Sequence, residues 1–376
     1  MSKKFISRRK FVALGGGLAL TATLAACGDP TATATTATPV ATTAAAAATS
    51  AAALTTSAAV TTAATGALKK IKFATPTAYI LSYIEDYIAK EGGFWEKEGL
   101  DVELVAGSGT ASALQQVSTK TAFAGRGGAI TTIINRATQA VPIRSIYAIY
   151  RGVQFVIITN DSKGIKGPAD MKGRNIGVVS RGGSTEQLLT LILAGVGVKK
   201  DDVQLQVVGA STGAYNFLQT GKVDAFVATN HVAVELGFNK EVIKILPISD
   251  YLKVPSDDVI IHEDSVKGEA DTALRLVRGL HNARKWAIQP ENLATIVKYA
   301  AKYTPDEVKN EDLAKLKISD DIKKWTGDGS NLKQGQIDKA GWTTLQDLLT
   351  TNSFIPKKLD LADLIETSFI DKVEPA

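Results

Sequence analysis

From residue 68 onward, short apolar runs alternate with stretches of helical period, the pattern of successive α/β units. Residues 71–74 read as a first strand and 79–90 as a helix. Residues 102–105 read as a second strand, followed by Gly107-Ser108-Gly109-Thr110 and a helix through Val117. A third strand at 122–124 ends at Gly125-Arg126-Gly127-Gly128, and another helix follows. Residues 143–150 and 154–159 read as long, nearly continuous strands. A second set begins after the turn-rich stretch 161–172. Strands are expected at 175–180, 203–208, 223–227, 242–246 and 259–261, with a helix to about Leu193 and a short one around Phe217. Beyond Asp264 the pattern is mainly helical, with Trp286, Trp325 and Trp342 as expected core anchors. A faint echo links two halves. Residues 114–123 and 218–226 each run from a helix bearing Leu and Gln into a short strand, with spacings that differ by one residue.

The first 67 residues follow other rules. Lys3, Lys4, Arg8, Arg9 and Lys10 precede an uncharged run from Phe11 to Ala26 that is too short for a comfortable membrane span. Leu24-Ala25-Ala26-Cys27 closes it. That order predicts an export signal over 1–26, and Ser7-Arg8-Arg9-Lys10-Phe11-Val12 matches the twin-arginine pattern. Leu-Ala-Ala-Cys resembles the bacterial lipobox, in which the cysteine is lipidated and the preceding peptide removed, so Cys27 is the expected lipidation site. Residues 30–67, rich in Thr and Ala, contain no charged or aromatic side chain. Such a segment buries too little apolar surface to offset chain entropy, so 27–67 is expected to be a flexible tether.

The export signal also changes the charge picture. The whole chain carries 43 Lys+Arg against 38 Asp+Glu, a formal +5. All of that excess precedes Cys27, so the mature chain is formally neutral and gives no electrostatic reason to expect nucleic acid as a partner. Cys27 is the only cysteine, which leaves no disulfide or thiolate metal site after lipidation.

Three segments share one design: a strand ends, glycines and hydroxyls follow, and a helix begins. They are 107–110, 125–128 and 180–185. Glycine lets backbone N–H groups approach a ligand, and the helix dipole favours an anion there. Thr110, Ser184 and Thr185 are also the residue types of plain helix caps. Arg126 and Arg181 stand inside two of these segments, and a guanidinium is a rigid fork suited to carboxylate or sulfonate. One arginine from each half would clasp an acidic ligand between them. Tyr79 is placed to stack on an aromatic or acyl portion, with Tyr83 one helical turn on. Arg151, Asn230 and His231 complete the candidates.

Enzyme signatures are absent from the sequence. The three histidines lack metal-ligand spacing, and there is no phosphate-binding G-x-x-x-x-G-K-[ST], dinucleotide GxGxxG or G-x-S-x-G elbow. No cofactor, metal or catalytic residue is nominated.

The segment Gly93-Phe94-Trp95-Glu96-Lys97-Glu98-Gly99-Leu100-Asp101-Val102-Glu103-Leu104 resembles the "GFFKEEGLDVEL" stretch of the ABC-importer substrate-binding proteins for nitrate, sulfonate, taurine and bicarbonate, a family that includes binders of the thiamine pyrimidine precursor. Residues 170–178 resemble its "DLKGKKIGV", and 218–225 its "LQSGQVDA". The likeness covers nearly all of 68–372. It implies an α/β, two-lobed periplasmic-binding-protein type II fold, each lobe a mainly parallel sheet flanked by helices. The expected division is 68–158 with 259–376 as lobe 1 and 159–258 as lobe 2, joined by crossing strands near 154–159 and 259–261. By position, the resemblance implies ligand contacts from Thr77, Ser108, Arg126, Gly127, Ser184, Thr185 and Asn230. Arg126, Ala122 and the segment Ala228-Thr229-Asn230-His231 depart from the family's usual residues, which leaves the ligand open.

The expectation is therefore an extracytoplasmic, lipid-anchored, monomeric receptor. It would capture a small organic ligand, anionic or aromatic, and pass it to ABC permease and ATPase subunits without covalent chemistry. The alternatives are an enzyme of the thiamine-pyrimidine or menaquinone-pathway type on the same fold, a vitamin-precursor (pyrimidine or flavin) receptor, and a sensory or adhesive lipoprotein.

Overall fold

The computed structural model describes residues 67–326 and 331–375. The expected signal peptide, Cys27 and the tether up to residue 66 lie outside the described residues.

The first sheet contains β1 (Lys69–Thr75), β2 (Leu100–Ala106), β3 (Ala124–Gly128) and β4 (Ile143–Tyr150). The second contains β5 (Phe155–Thr159), β6 (Asn175–Val178), β7 (Gln204–Val207), β8 (Ala225–Thr229) and β9 (Lys244–Pro247). The chain then returns to the first sheet as β10 (Asp257–His262). Strand order is β2-β1-β3-β10-β4 in one sheet and β7-β6-β8-β5-β9 in the other. In each, the first three strands are parallel. β10 is antiparallel to both its neighbours, and so is β5.

The reversed strands have a simple cause. The chain leaves β4 at that strand's carboxyl end, crosses at 151–154, and starts β5 on the carboxyl edge of the second sheet, so β5 must run against β8. The return through 248–256 places β10 in the first sheet in the same way. The two carboxyl edges, where α/β sheets bind ligands, therefore face each other. The crossings lie outside the strands expected to make them, because β5 belongs wholly to the second sheet and β10 wholly to the first. The faint sequence echo also acquires a place. Its two copies lead into β3 and β8, which occupy the same position in their respective sheets.

Apolar burial follows the strand pattern. Phe73, Leu100, Val102, Ile146 and Ile261 pack with Trp95, Leu276, Leu280 and Trp325 against the helices of the first lobe. A second cluster joins Ile176, Leu189, Ile192 and Val227 to Trp342, Leu345 and Leu349 of the helix Lys339–Thr351. That C-terminal helix, expected to serve the first lobe alone, thus shares a core with the helix Ser184–Gly195 of the second. Trp325 and Trp342 are fully buried as expected. Trp286 is only partly so, and Trp95, not singled out from sequence, is an anchor beside them.

The run Gly125-Arg126-Gly127-Gly128 is not the expected loop but the strand β3 itself, buried throughout. Its glycines serve close packing, since none has a positive φ. A Cβ on Gly125 would lie 2.8 Å from the Ala74 carbonyl oxygen, and one on Gly127 would lie 2.9 Å from the Ile260 side chain.

Candidate functional site

The carboxyl edges enclose a small cavity of about 50 Å³. From the first lobe it is walled by the turn after β1 (Pro76, Thr77, Ile80, Ser82, Tyr83), by Thr110 and by Asp257. From the crossing and second lobe come Gln154, Phe155, Ser180, Ser184, Thr185 and Thr229. It adjoins, through Thr77, Ile80, Val179 and Ala210, a wider opening of about 480 Å³ that includes Tyr79 and Ser108. Through Ile80, Ser82, Ala210 and Thr229 it adjoins a compartment of about 190 Å³ bordered by His231 and Lys317.

Two helices begin at the cavity from opposite lobes. Thr110 opens the helix Thr110–Ser118 and Ser184 opens Ser184–Gly195. Their hydroxyls lie 3.2 Å apart, and Ser184 Oγ is also 3.1 Å from Thr131 Oγ1. Thr185 Oγ1 accepts from the Val179 amide at 3.1 Å. Positive helix ends and unshared hydroxyl capacity together favour an acceptor-rich ligand group. Around this point the lobes meet through further links. Thr131 donates to Gln187 at 2.6 Å, Ser82 Oγ lies 3.1 Å from His231 Nδ1, and Asn230 Nδ2 donates to Asp320 at 2.6 Å. His231 Nε2 approaches Asp321 at 2.8 Å, close but not aligned as a hydrogen bond.

Of the candidate residues, Thr77, Thr110, Ser184 and Thr185 wall the small cavity, and Tyr79 and Ser108 border its opening. Tyr79 spends its hydroxyl on the Leu104 carbonyl at 2.6 Å and packs edge-on to Tyr87 and Tyr303. Asn230 faces Asp320. Gly127 pairs with Asp258 inside the sheet.

The arginine clasp requires correction. Arg126 is fully buried inside an acidic cage of the protein's own making. Its Nε and Nη2 donate to Asp257 Oδ2 at 3.1 and 2.8 Å, and Nη1 lies 2.9 Å from Glu85 and 3.4 Å from Asp86. The Tyr83 ring stacks on its guanidinium at 4.6 Å. Arg181 points the other way, its side chain 55% exposed, donating to the Leu205 carbonyl near Glu186. Neither guanidinium reaches the cavity, because one is spent on internal carboxylates and the other lies on the rim.

Burial dominates the electrostatics of the cage. It pushes Asp86 up to about 8 against the pull of Arg126, and it raises Glu85 and Asp257 in the same sense. Asp258, on the opposite face of β10, is raised well above the ordinary carboxylate range by burial and by its neighbour Asp257. Sequence reading missed Asp257, Ser82, Gln154 and Thr229. Asp257-Asp258 opens a short apolar strand, but Asp201-Asp202 stands before β7 in the same way, so no local pattern singled out Asp257.

A larger groove of about 760 Å³ lies at the amino ends of β1 and β2, away from the facing edges. Several of its lysines are answered by acids, as in Lys69–Glu269 and Lys120–Asp264, both at 2.8 Å. Among the described residues, no group of three or more His, Cys, Asp or Glu is placed to hold a metal ion. No helix among them is long and apolar enough to cross a membrane.

Residues 82–293 match the family described as NMT1/THI5 like. The chain belongs to this family. A stretch of 142 residues is 34% identical to a Brucella abortus protein named as a binding protein, covering 35% of this chain and 42% of that one. The chain thus spans less than half the length of the curated relatives it matches. Among solved structures, a Bordetella bronchiseptica protein aligns over 81% of this chain and 96% of its own, with a TM-score of 0.69 and 26% identity. An alkanesulfonate-binding protein from Xanthomonas axonopodis, solved with MOPS, aligns over 81% of this chain and all of its own, with a TM-score of 0.62 and 14% identity. The desulfurization enzyme DSZB shares the architecture at a TM-score of 0.52, 17% identity, 81% of this chain and 98% of its own. The NMT1/THI5-like chain therefore has the periplasmic binding protein fold, on which both binding proteins and an enzyme are built.

Proposed function

We propose that this chain is the ligand-capturing component of an ABC importer, exported and tied to the outer face of the cell membrane through a lipid at Cys27. Its ligand is a small organic molecule, with an anionic sulfonate or carboxylate group or an aromatic portion, enclosed between the lobes. The observation that carries this reading is the cavity at the facing carboxyl edges, where helices from both lobes begin at Thr110 and Ser184. An anionic or carbonyl group at that point gains hydroxyl donors and two helix termini without a cationic side chain. The walls also favour capture over conversion. Among the described residues, Asp257 and Tyr83 are the only ionisable ones in the walls, and Tyr83 is held far above its ordinary pKa by burial.

Calorimetric titration of the 68–376 domain with a panel of sulfonates, carboxylates and aromatic acids tests the reading. One tight ligand, recovered unchanged after incubation, is the expected result, with thermal stabilisation of a few kcal/mol at ligand far above its dissociation constant. Turnover of that ligand would instead make the chain an enzyme like its desulfurizing neighbour. Loss of membrane retention in a Cys27→Ser variant is expected if the anchor is a lipid.

A further inference from the structure

Three side chains from distant parts of the sequence meet in a row at the edge of the cavity. Ser82, a wall of the cavity from the turn after β1, places its Oγ 3.1 Å from His231 Nδ1. At the other end of the imidazole, His231 Nε2 lies 2.8 Å from Asp321 Oδ2. All three residues are buried. A carboxylate beside Nε2 favours the ring proton on that nitrogen, which leaves Nδ1 to accept from the Ser82 hydroxyl. A serine with a base on its proton and an acid behind that base is an activated nucleophile. Ser82 follows β1 of the first sheet and His231 follows β8 of the second, so the row exists only while the lobes are together. The helix starts at Thr110 and Ser184 border the same cavity and favour a negative charge developing there.

We infer that Ser82 is a nucleophile and that the closed protein cleaves small carboxylic esters, an activity beyond the capture proposed above. Ser82 Oγ attacks the ester carbonyl carbon while its proton passes to His231 Nδ1, and the carbonyl electron pair moves onto oxygen. When that pair returns, the bond to the leaving alcohol breaks and the alcohol takes the proton from His231. Water then attacks the acyl group on Ser82, again giving a proton to His231. That proton returns to Ser82 Oγ as the free acid departs. Asp321 acts through His231, as a positioning residue that holds the ring and its tautomer. A free acid offers no comparable leaving group, so an acid is captured unchanged and only its ester is cleaved.

Two probes test it on the full chain. Diisopropyl fluorophosphate is expected to lose fluoride and leave its phosphoryl group on Ser82 of the wild type, as mapped by peptide mass spectrometry. Para-nitrophenyl acetate is expected to be hydrolysed, with Ser82→Ala falling to the uncatalysed rate. His231→Gln is expected to be slower than the wild type by at least about a hundredfold, the scale of a lost general base. Asp321→Asn is expected to lower kcat with KM unchanged, a split that a merely structural role would not produce. A folded wild type with no label on Ser82 overturns the inference, as does ester hydrolysis that survives in Ser82→Ala. Because the labelling uses the wild type, a misfolded variant does not rescue the idea. The two readings also fail separately. A chain that binds an acid but leaves Ser82 unlabelled keeps only the receptor reading, and one labelled at Ser82 that binds no acid keeps only the hydrolytic one.

Discussion

Arg126 shows how one residue can be conspicuous in sequence for the wrong reason. Flanked by glycines at an expected strand end, it has the look of an anion clasp, but the carboxylates that hold it come from residues 85, 86 and 257, and no local pattern announces such a convergence. Its loss therefore acts on stability. Arg126→Ala takes the guanidinium partner away from the buried Glu85 and Asp257 carboxyls, and removing one partner of a buried ionic group typically costs about 3–5 kcal/mol. A drop in denaturation midpoint is expected, whereas an intact midpoint with weakened ligand binding would restore the clasp. The cage also sets a pH dependence with an unusual sign. Asp86 binds its proton up to about pH 8 when folded, against an ordinary value of 3.8 when unfolded. The folded state thus holds the extra proton, and stability is lost as pH rises from about 4 towards 8. His262 and His281, whose pKa values are lowered by burial, work in the opposite direction below about pH 6.5. Above that, unfolding free energy is expected to fall by about 1.4 kcal/mol per pH unit for each such proton. The slope should flatten in Asp86→Asn, and an identical slope in that variant would show that Asp86 is ionised at neutral pH.

At the scale of elements, short apolar runs located the strands well, since a strand buried on both faces shows in a single sequence as a nearly continuous apolar run. β4 falls at 143–150 as read, and β2 and β10 extend the expected apolar runs by a residue or two at each end. β3 was misplaced because glycine normally marks a turn, whereas here it allows strands and side chains to approach. Which glycines do this depends on residues far away in sequence: Ala74, Ile260 and Ser184. Half of the candidate site was legible for a related reason. Thr110, Ser184 and Thr185 carry the signature of helix starts, but Gln154 and Asp257 reach the cavity only through the crossings of the chain between sheets, and Ser82 carries no such signature in the turn after β1. The glycines carry a prediction of their own. Gly125→Ala places a Cβ 2.8 Å from a backbone oxygen that cannot rotate aside, so a loss of about 1–3 kcal/mol is expected in chemical denaturation. Unchanged stability would mean that β1 and β3 are less tightly apposed than the structure shows.

At the scale of the whole molecule, the lobes are connected by two short crossings, by the apolar cluster that joins Ala129–Gln139 and Lys339–Thr351 to Ser184–Gly195, and by a set of polar links. Those links are selective in kind. Ser184 touches Thr110 and Thr131 at the cavity itself, where the proposed ligand would compete for the same hydroxyls. Ser82, itself a wall of the cavity, turns to His231, which with Asp321 lies beside it. His231 is therefore better placed to set the balance between open and closed forms than to touch the ligand. His231→Ala leaves Asp321, only 1% exposed, without its nearest partner across the lobe boundary, and opening the lobes is the motion that rehydrates it. Each 1.4 kcal/mol by which opening is favoured lowers the closed fraction, and with it the apparent affinity, by up to tenfold. The expected result is a larger radius of gyration in solution scattering without ligand, with weaker binding and a nearly unchanged unfolding midpoint. A variant that unfolds more easily yet scatters like the wild type would place His231 among the core residues, and the lobes would then owe their closure to apolar packing between the helices Ala129–Gln139 and Ser184–Gly195.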